Sequence, residues 1–423
     1  MKFFLKFAAL LFLAAALGAC RTPPPDRAAV LDVRQFGAAG DGKTLDTAAI
    51  QRALDECGRA GGGTVRLPAG TYLSKPIFLR GQTTLELEAG AVLQATDDPA
   101  DYLDGNGATL AFVNARGLAH ITLGGAGAID GAGARWWPAA RAAKSAGRPE
   151  TTRRPRLVVL TGCRNVLVRD VTLRNSPSFH LVPADCQDVV VSNVTILAPA
   201  DSPNTDAMDP SACQRVLITR CRLDVGDDNI AIKSGRAVPG RAAACEDFVV
   251  SDCVFLRGHG MSIGSETLGG VSNLLVTHCA FDGTTSGIRL KTSRDRGGTV
   301  ENLIYKDITM TNVQVPVNIA CYYPNVPAAD PAQPVSRTTP VCRNIQIINL
   351  TASGPKSAGF IVGLPEMCVS NVLLENVKLS TATGLTIRNA RGIQFINSDI
   401  QAQKGPPVIA ENAEIAGLAE AKK

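Results

Sequence analysis

The chain has 423 residues and a mass of 44.3 kDa, with 45% hydrophobic, 19% charged and 5% aromatic residues, 40 Gly and 25 Pro. This composition excludes a disordered or collagen-like chain, and the length suits two or three ordinary domains or one large β fold. With Lys2 and Lys6 set aside as part of a leader, 41 basic residues face 38 acidic ones, too small a surplus for a bulk nucleic-acid binder.

Residues 1–19 read as an export signal. Lys2 and Lys6 flank the start of an apolar stretch, Phe7 to Leu17, that is too short to span a bilayer and is followed by small residues. Leu17-Gly18-Ala19-Cys20 resembles a bacterial lipoprotein box, which implies a lipid on Cys20 and makes residues 20–29, with Pro23, Pro24 and Pro25, an extended tether. The implied location is the bacterial cell envelope, outer membrane or periplasm, with plain secretion as the alternative. Beyond this segment no apolar run approaches about 20 residues, so a polytopic membrane protein is excluded.

Next comes a short helix. Asp46 or Thr47 is placed to cap it, and Ile50, Ala53, Leu54 and Cys57 form one apolar stripe. Such a helix would plug the open end of a solenoid and shield its edge strands. Thr64 to Tyr72 then enters the first strands. Trp136, Trp137 and the basic run 148–156 read as a loop beside a groove, or as a solvated insertion.

From residue 157 a pattern recurs: a polar residue, apolar-x-apolar, a polar corner, and apolar-x-apolar again. Its first apolar positions are Val166, Val189, Val216, Phe248, Leu274, Leu303, Ile345 and Val372, with gaps of 23, 27, 32, 26, 29, 42 and 27 residues. A fixed strand pattern with variable spacing is what a solenoid tolerates, because extra residues bulge from one face. The expected fold is all-β: a single-domain, right-handed parallel β-helix over residues 30–423 with an N-terminal capping helix. Cys163, Cys186, Cys213 and Cys245 each lie three residues before a first apolar position, and Cys221, Cys253 and Cys279 lie five after one. These two ladders are expected to be buried thiols. Cys321 and Cys342, which flank the Pro-rich insertion 324–340, are the better candidates for a disulfide.

Four polar clusters follow on successive repeats: Asn204-Thr205-Asp206, Gly226-Asp227-Asp228, Gly258-His259-Gly260 and Arg289-Leu290-Lys291. Asp227 and His259 share an offset of eleven from their anchors, Val216 and Phe248, and so are expected to stack. Asp206 lies 21 residues, about one turn, before Asp227. Arg289 and Lys291, two apart on a strand, share a face. Three carboxylates, a histidine and two cations suit general acid and base chemistry on an anionic substrate, with crowding of like charges keeping one carboxyl protonated.

At these residues the sequence resembles glycoside hydrolase family 28, the polygalacturonases, whose motifs are Asn-Thr-Asp, Gly/Gln-Asp-Asp, Gly-His-Gly and Arg-Ile-Lys. The segment from Phe36 to Cys57 also resembles the N-terminal segment of pectin-degrading β-helix proteins. The likeness implies a bacterial-type enzyme that hydrolyses α-1,4-galacturonan with inversion and without metal or other cofactor, endo action being favoured over exo. It implies Asp227 as general acid, Asp206 and Asp228 as the pair that activates water, and His259 as a support for catalytic protonation. Arg289, Lys291, Tyr323 and Asn204 would hold the substrate, with Tyr322 adjacent to Tyr323. The implied partners are pectic polysaccharide and, through Cys20, a membrane; no nucleic acid partner is implied, and the chain is expected to be a monomer. Ala207 stands where glycine is usual and is expected to narrow the backbone near Asp206, whereas Leu290 in place of isoleucine is expected to be harmless. A non-catalytic polysaccharide-binding β-helix and a pectate lyase using calcium are the alternatives.

Overall fold

The computed structural model describes residues 29–235, 243–354 and 356–418. The expected export signal, Cys20 and residues 21–28 of the tether lie outside the described residues. Ala29 already belongs to the solenoid, since its carbonyl accepts the Thr64 amide at 2.9 Å.

The strands stack in three parallel columns that wind as a right-handed β-helix. All eight anchor positions pair in one register, Val166 with Val189 and onward through Val216, Phe248, Leu274, Leu303, Ile345 and Val372. Their side chains are buried to 2% exposure or less, because alternate residues of each strand point into one continuous core. Within it Phe255 and Phe281, on neighbouring turns, stack with ring centroids 4.3 Å apart.

The polar residue before seven of the eight anchors has a conformational cause; before the eighth, Val216, Arg215 takes the same conformation at φ 54°. Asn165, Asp188, Asp247, Asn273, Asn302, Asn344 and Asn371 all have φ between 54° and 61°, the left-handed region that Asn and Asp tolerate better than other non-glycine residues. The corner also builds a ladder: Asn302 Nδ2 donates to Asn273 Oδ1 at 3.3 Å, Asn344 to Asn302 at 3.1 Å and Asn371 to Asn344 at 3.2 Å. Asn344→Ala is therefore expected to lower unfolding free energy by about 2 kcal/mol, chiefly from the strained φ. Asn344→Gly, free of that strain, should lose clearly less in denaturant titration. Equal losses would mean that the conformation is not the reason for asparagine here.

Helix α1 (Thr47–Arg59) closes the N-terminal end with Ala49, Ile50, Ala53, Leu54 and Cys57 buried. Asp46 occupies its N-cap position without capping it; the carboxylate instead accepts the Ala39 and Gly40 amides at 2.7 and 3.0 Å. Trp136 and Trp137 are not in an open loop as expected. Helix α2 (Trp137–Ser145) starts there, both indoles are 6% exposed, and Trp137 Nε1 donates to the Ser176 carbonyl at 3.1 Å.

The cysteine ladders are free thiols and buried throughout. Each acts as a small filler that also donates weakly to main-chain carbonyls, as Cys186 does to Leu160 and Cys213 to Pro183, both at 3.3 Å. Cys321 and Cys342 meet with sulfurs 3.6 Å apart but, against expectation, are not bridged.

Candidate active site

The third column carries the site. Its members Ile230–Ile232, Met261–Ile263, Ser286–Lys291 and Val315–Ala320 pair in register, and Met208 bridges Ile230 at the preceding turn. Asp206, Asp227-Asp228 and His259 sit just before these strands, and Arg289 and Lys291 lie on the third of the four. All of them open on one face.

The motif residues that carry no charge make this geometry possible. Thr205 Oγ1 accepts the Gly226 amide at 3.1 Å, which ties the turn bearing Asp206 to the one bearing Asp227. Gly258 and Gly260 have φ of 80° and 69°, and a Cβ on Gly258 would lie 2.3 Å from the Asp227 carbonyl oxygen. Ala207 brings no strain, contrary to expectation. It lies outside the left-handed region, is buried, and its amide donates to the Asp228 carbonyl at 2.9 Å.

One carboxylate oxygen from each of Asp206, Asp227 and Asp228 lies within 4.8 Å of the others. Asp228 is 2% exposed: Oδ1 accepts Ser262 Oγ at 2.8 Å and an Arg289 N–H at 3.0 Å, and Oδ2 lies 2.5 Å from Lys291 Nζ. Burial pushes its carboxyl upward, but the two cations outweigh that and hold it below the ordinary carboxylate range. Asp206 is 4% exposed with Oδ2 3.6 Å from Lys233 Nζ, and its Oδ1 is buried with no hydrogen-bond partner among the described residues. Burial and the neighbouring Asp209 push this carboxyl well above its ordinary range against the pull of Lys233. Asp227 is the most open of the three, at 18%.

His259 Nε2 lies 3.7 Å from Asp227 Oδ1, and its amide donates to the Asp227 carbonyl at 2.9 Å. The expected stacking is thus formed, with a slip. Ile230 and Met261 pair 31 residues apart whereas Val216 and Phe248 pair 32 apart, so the strand register sets His259 level with Asp228. The Thr285 hydroxyl donates to the Gly258 carbonyl at 3.2 Å and accepts from His259 Nδ1 at 2.5 Å, which leaves Nε2 facing Asp227.

A carboxyl separation of roughly 6.5–9.5 Å is the usual signature of inverting glycosidases. The 4.8 Å cluster is tighter than that expectation, because every member hangs from adjacent strands of one column. Such a cluster also resembles a divalent cation site. The donor set fits a cation poorly, since Asp228 is fully engaged by Arg289, Lys291 and Ser262 and Asp206 is paired with Lys233.

The structure brings together the expected Asp206, Asp227, Asp228, His259, Arg289 and Lys291. Arg289 and Lys291 line an adjoining cavity of about 360 Å³ with Tyr322 and Tyr323. The Tyr323 ring lies 5.6 Å from Lys291 Nζ, while the Tyr322 hydroxyl is turned away to Asp330 at 2.7 Å. Asn204 is held through Oδ1 by Arg154 Nη2 at 2.9 Å. Arg154 also bonds Glu150 and the carbonyls of Pro177 and Pro203 and is 6% exposed, so the basic run includes a buried strut rather than a solvated face alone.

The sequence profile of glycosyl hydrolases family 28 matches residues 57–403. The chain belongs to this family. A relative, an endo-polygalacturonase of Pectobacterium carotovorum subsp. carotovorum, is 34% identical over 298 residues, covering 66% of this chain and 72% of that protein. Among solved structures, a hyperthermoactive exopolygalacturonase from Thermotoga maritima aligns with a TM-score of 0.74 at 28% identity, covering 93% of this chain and 91% of that one. A polygalacturonase from Erwinia carotovora ssp. carotovora aligns with a TM-score of 0.68 at 26% identity over 94% of this chain and all of that one.

Several groups of this family 28 site escaped the sequence reading. Lys233 lies 2.7 Å from Asp209 and 4.4 Å over the Phe179 ring; burial pushes the Asp209 carboxyl up to about 6 against the Lys233 charge. The register carries Lys233 to the place on its strand that Lys291 fills two turns on, so the match of Ile-Ala-Ile-Lys to Ile-Arg-Leu-Lys was the available signal. His180 is fully buried, and burial pushes it down to about 4, hence neutral. Its Nδ1 donates to the Asp206 carbonyl at 3.1 Å while Nε2 accepts the Ser176 amide at 3.2 Å. Nothing in the sequence distinguishes it from an ordinary core histidine.

Proposed function

We propose that the protein is an exported polygalacturonase that hydrolyses α-1,4-galacturonosyl linkages of pectin with inversion, acting on internal linkages. The observation that carries this is the convergence of Asp206, Asp227 and Asp228 beside an open cavity lined by Arg289 and Lys291. Asp227, the least buried of the three carboxyls, gives its proton to the glycosidic oxygen as that bond breaks, with His259 holding it and relaying protons. A water held between Asp206 and Asp228 attacks the anomeric carbon from the opposite side and yields its proton to Asp228, whose carboxyl Lys291 and Arg289 keep ionised. Bridging two oxygens at about 2.8 Å each, one water reaches across the 4.8 Å cluster. Direct attack on carbon is disfavoured, since both Asp228 oxygens already accept from Ser262, Arg289 or Lys291, with room left for a water alone, and Asp206 is buried. Arg289 and Lys291 hold a substrate carboxylate, Tyr323 closes over the same sugar, and Asn204, fixed by Arg154, is a further substrate contact.

Endo action is supported by the 34% identity with an endo-polygalacturonase. Incubation with de-esterified polygalacturonate should release reducing ends without unsaturated products, unchanged by a chelator, with viscosity falling faster than reducing ends accumulate. Unsaturated, calcium-dependent products would establish the lyase reading. Binding without cleavage would establish a non-catalytic solenoid, which the intact carboxylate trio argues against.

Lipid anchoring is part of the same reading, supported by Leu17-Gly18-Ala19-Cys20 and the proline tether. The protein then works as a monomer at the bacterial envelope. Cys20→Ser is expected to shift the protein to the soluble fraction or leave its leader uncleaved on fractionation. Unchanged membrane retention would contradict the anchor.

A further inference from the structure

The cavity beside Arg289 and Lys291 does not end there. The register carries Lys291 to Ala320, Ala320 to Val362 and Val362 to Arg388. Parallel neighbours sit about 4.8 Å apart, so Lys291 and Arg388 stand on one line roughly 14 Å apart along the solenoid. Between them Ala320 and Val362 make a small apolar floor. The adjacent line runs from Arg289 through Asn318 and Phe360 to Thr386, which places an amide and a hydroxyl along the flank. Tyr323 and residues 324–326 of the Pro-rich insertion wall the same cavity.

Arg388 is well placed to act as more than a brace. It donates to the carbonyls of Pro327 at 2.7 Å and Ala328 at 3.1 Å, which fixes the guanidinium against the wall. These bonds use two of its five N–H donors. Glu411 is 3.9 Å away and 56% exposed, and Asp330, which also feels the Arg388 charge, is bonded by Arg294 and the Tyr322 hydroxyl, so the Arg388 charge is only partly compensated. A trough with a fixed cation at each end, a small apolar floor and polar flanks matches a chain of sugars bearing carboxylates at intervals.

We propose that Arg388, assisted by Thr386 and Asn318, forms a second carboxylate-binding subsite that holds a galacturonate unit distal to the one at Arg289 and Lys291. The inference rests on the polygalacturonase reading, which fixes the ligand as an oligogalacturonate. It predicts that affinity climbs once a chain is long enough to reach from Lys291 to Arg388, and that methyl esterification of the distal unit removes this gain.

The test is NMR-titrated binding of galacturonate dimer and hexamer to the Asp227→Asn protein, with and without Arg388→Gln or Thr386→Val. Loss of one charge-assisted contact should weaken hexamer binding by roughly 10- to 100-fold in Arg388→Gln and change dimer binding less than about threefold. Thr386→Val, which leaves the brace to Pro327 and Ala328 intact, should show a smaller loss of the same length dependence. Equal loss for dimer and hexamer in Arg388→Gln, or no loss for either, would overturn the subsite. Cleavage of polygalacturonate by the unmodified enzyme tests the underlying reading separately. If that cleavage occurs and Arg388→Gln loses nothing on long chains, only the subsite fails; if the chain neither cleaves nor binds oligogalacturonate, the reading beneath it fails.

Discussion

Asp227→Asn is expected to lower kcat by roughly 10²- to 10⁴-fold with little change in KM, the range attributed to a positioned general acid. The reason is geometric. Of the three clustered carboxyls Asp227 alone is appreciably exposed, and His259 Nε2 stands 3.7 Å from it with its tautomer fixed by Thr285. An amide preserves shape and hydrogen bonding but carries no transferable proton, so substrate still binds while the leaving oxygen departs unprotonated. An aryl galacturonide with a nitrophenolate leaving group needs little protonation and should retain most of its rate in the variant. A near-normal kcat on polygalacturonate would show that the acid lies elsewhere.

Lys291→Ala is expected to act on both kinetic constants. Lys291 Nζ contacts Asp228 Oδ2 and also lines the cavity below Tyr323, so its charge serves a carboxylate of the protein and one of the substrate. Loss of the substrate contact should raise KM on de-esterified pectin and reduce kcat/KM by roughly 10- to 100-fold, with a weakened preference over methylated pectin. Burial then acts on Asp228 with Arg289 as the remaining strong counter-charge, so the Asp228 carboxyl moves upward. Because Asp228 must be ionised to work, the acidic limb of the pH–rate profile should shift to higher pH. An unchanged acidic limb would sever Lys291 from Asp228; a preference that survived in both Lys291→Ala and Arg289→Ala would remove carboxylate recognition from both.

The fold was legible because solenoid strands repeat a local pattern. Apolar-x-apolar with a left-handed polar corner fixes the register turn by turn, and the pairing of Val166 through Val372 follows from it. The charged trio was legible for the same reason, since position along a turn becomes position on a face. Features that depend on side chains reaching between turns were not. Whether Lys291 points to substrate or to Asp228 is a matter of angstroms across neighbouring strands. The Arg154 strut reaches 50 residues along the chain to Asn204 from an insertion outside the repeat. The one-residue slip at His259 arises because the third column follows a corner one residue shorter on that turn than on the one before, which an offset counted from the first column does not reveal.

In the proposed mechanism a water, rather than a carboxylate, attacks the anomeric carbon within a cluster tighter than inverting pairs usually show. Proton NMR of the first product formed from an α-linked galacturonan, recorded before mutarotation, decides this directly. A β anomer appearing first is the expected result; an α anomer appearing first would mean a covalent glycosyl intermediate and would contradict the assignment of Asp206 and Asp228 to water activation.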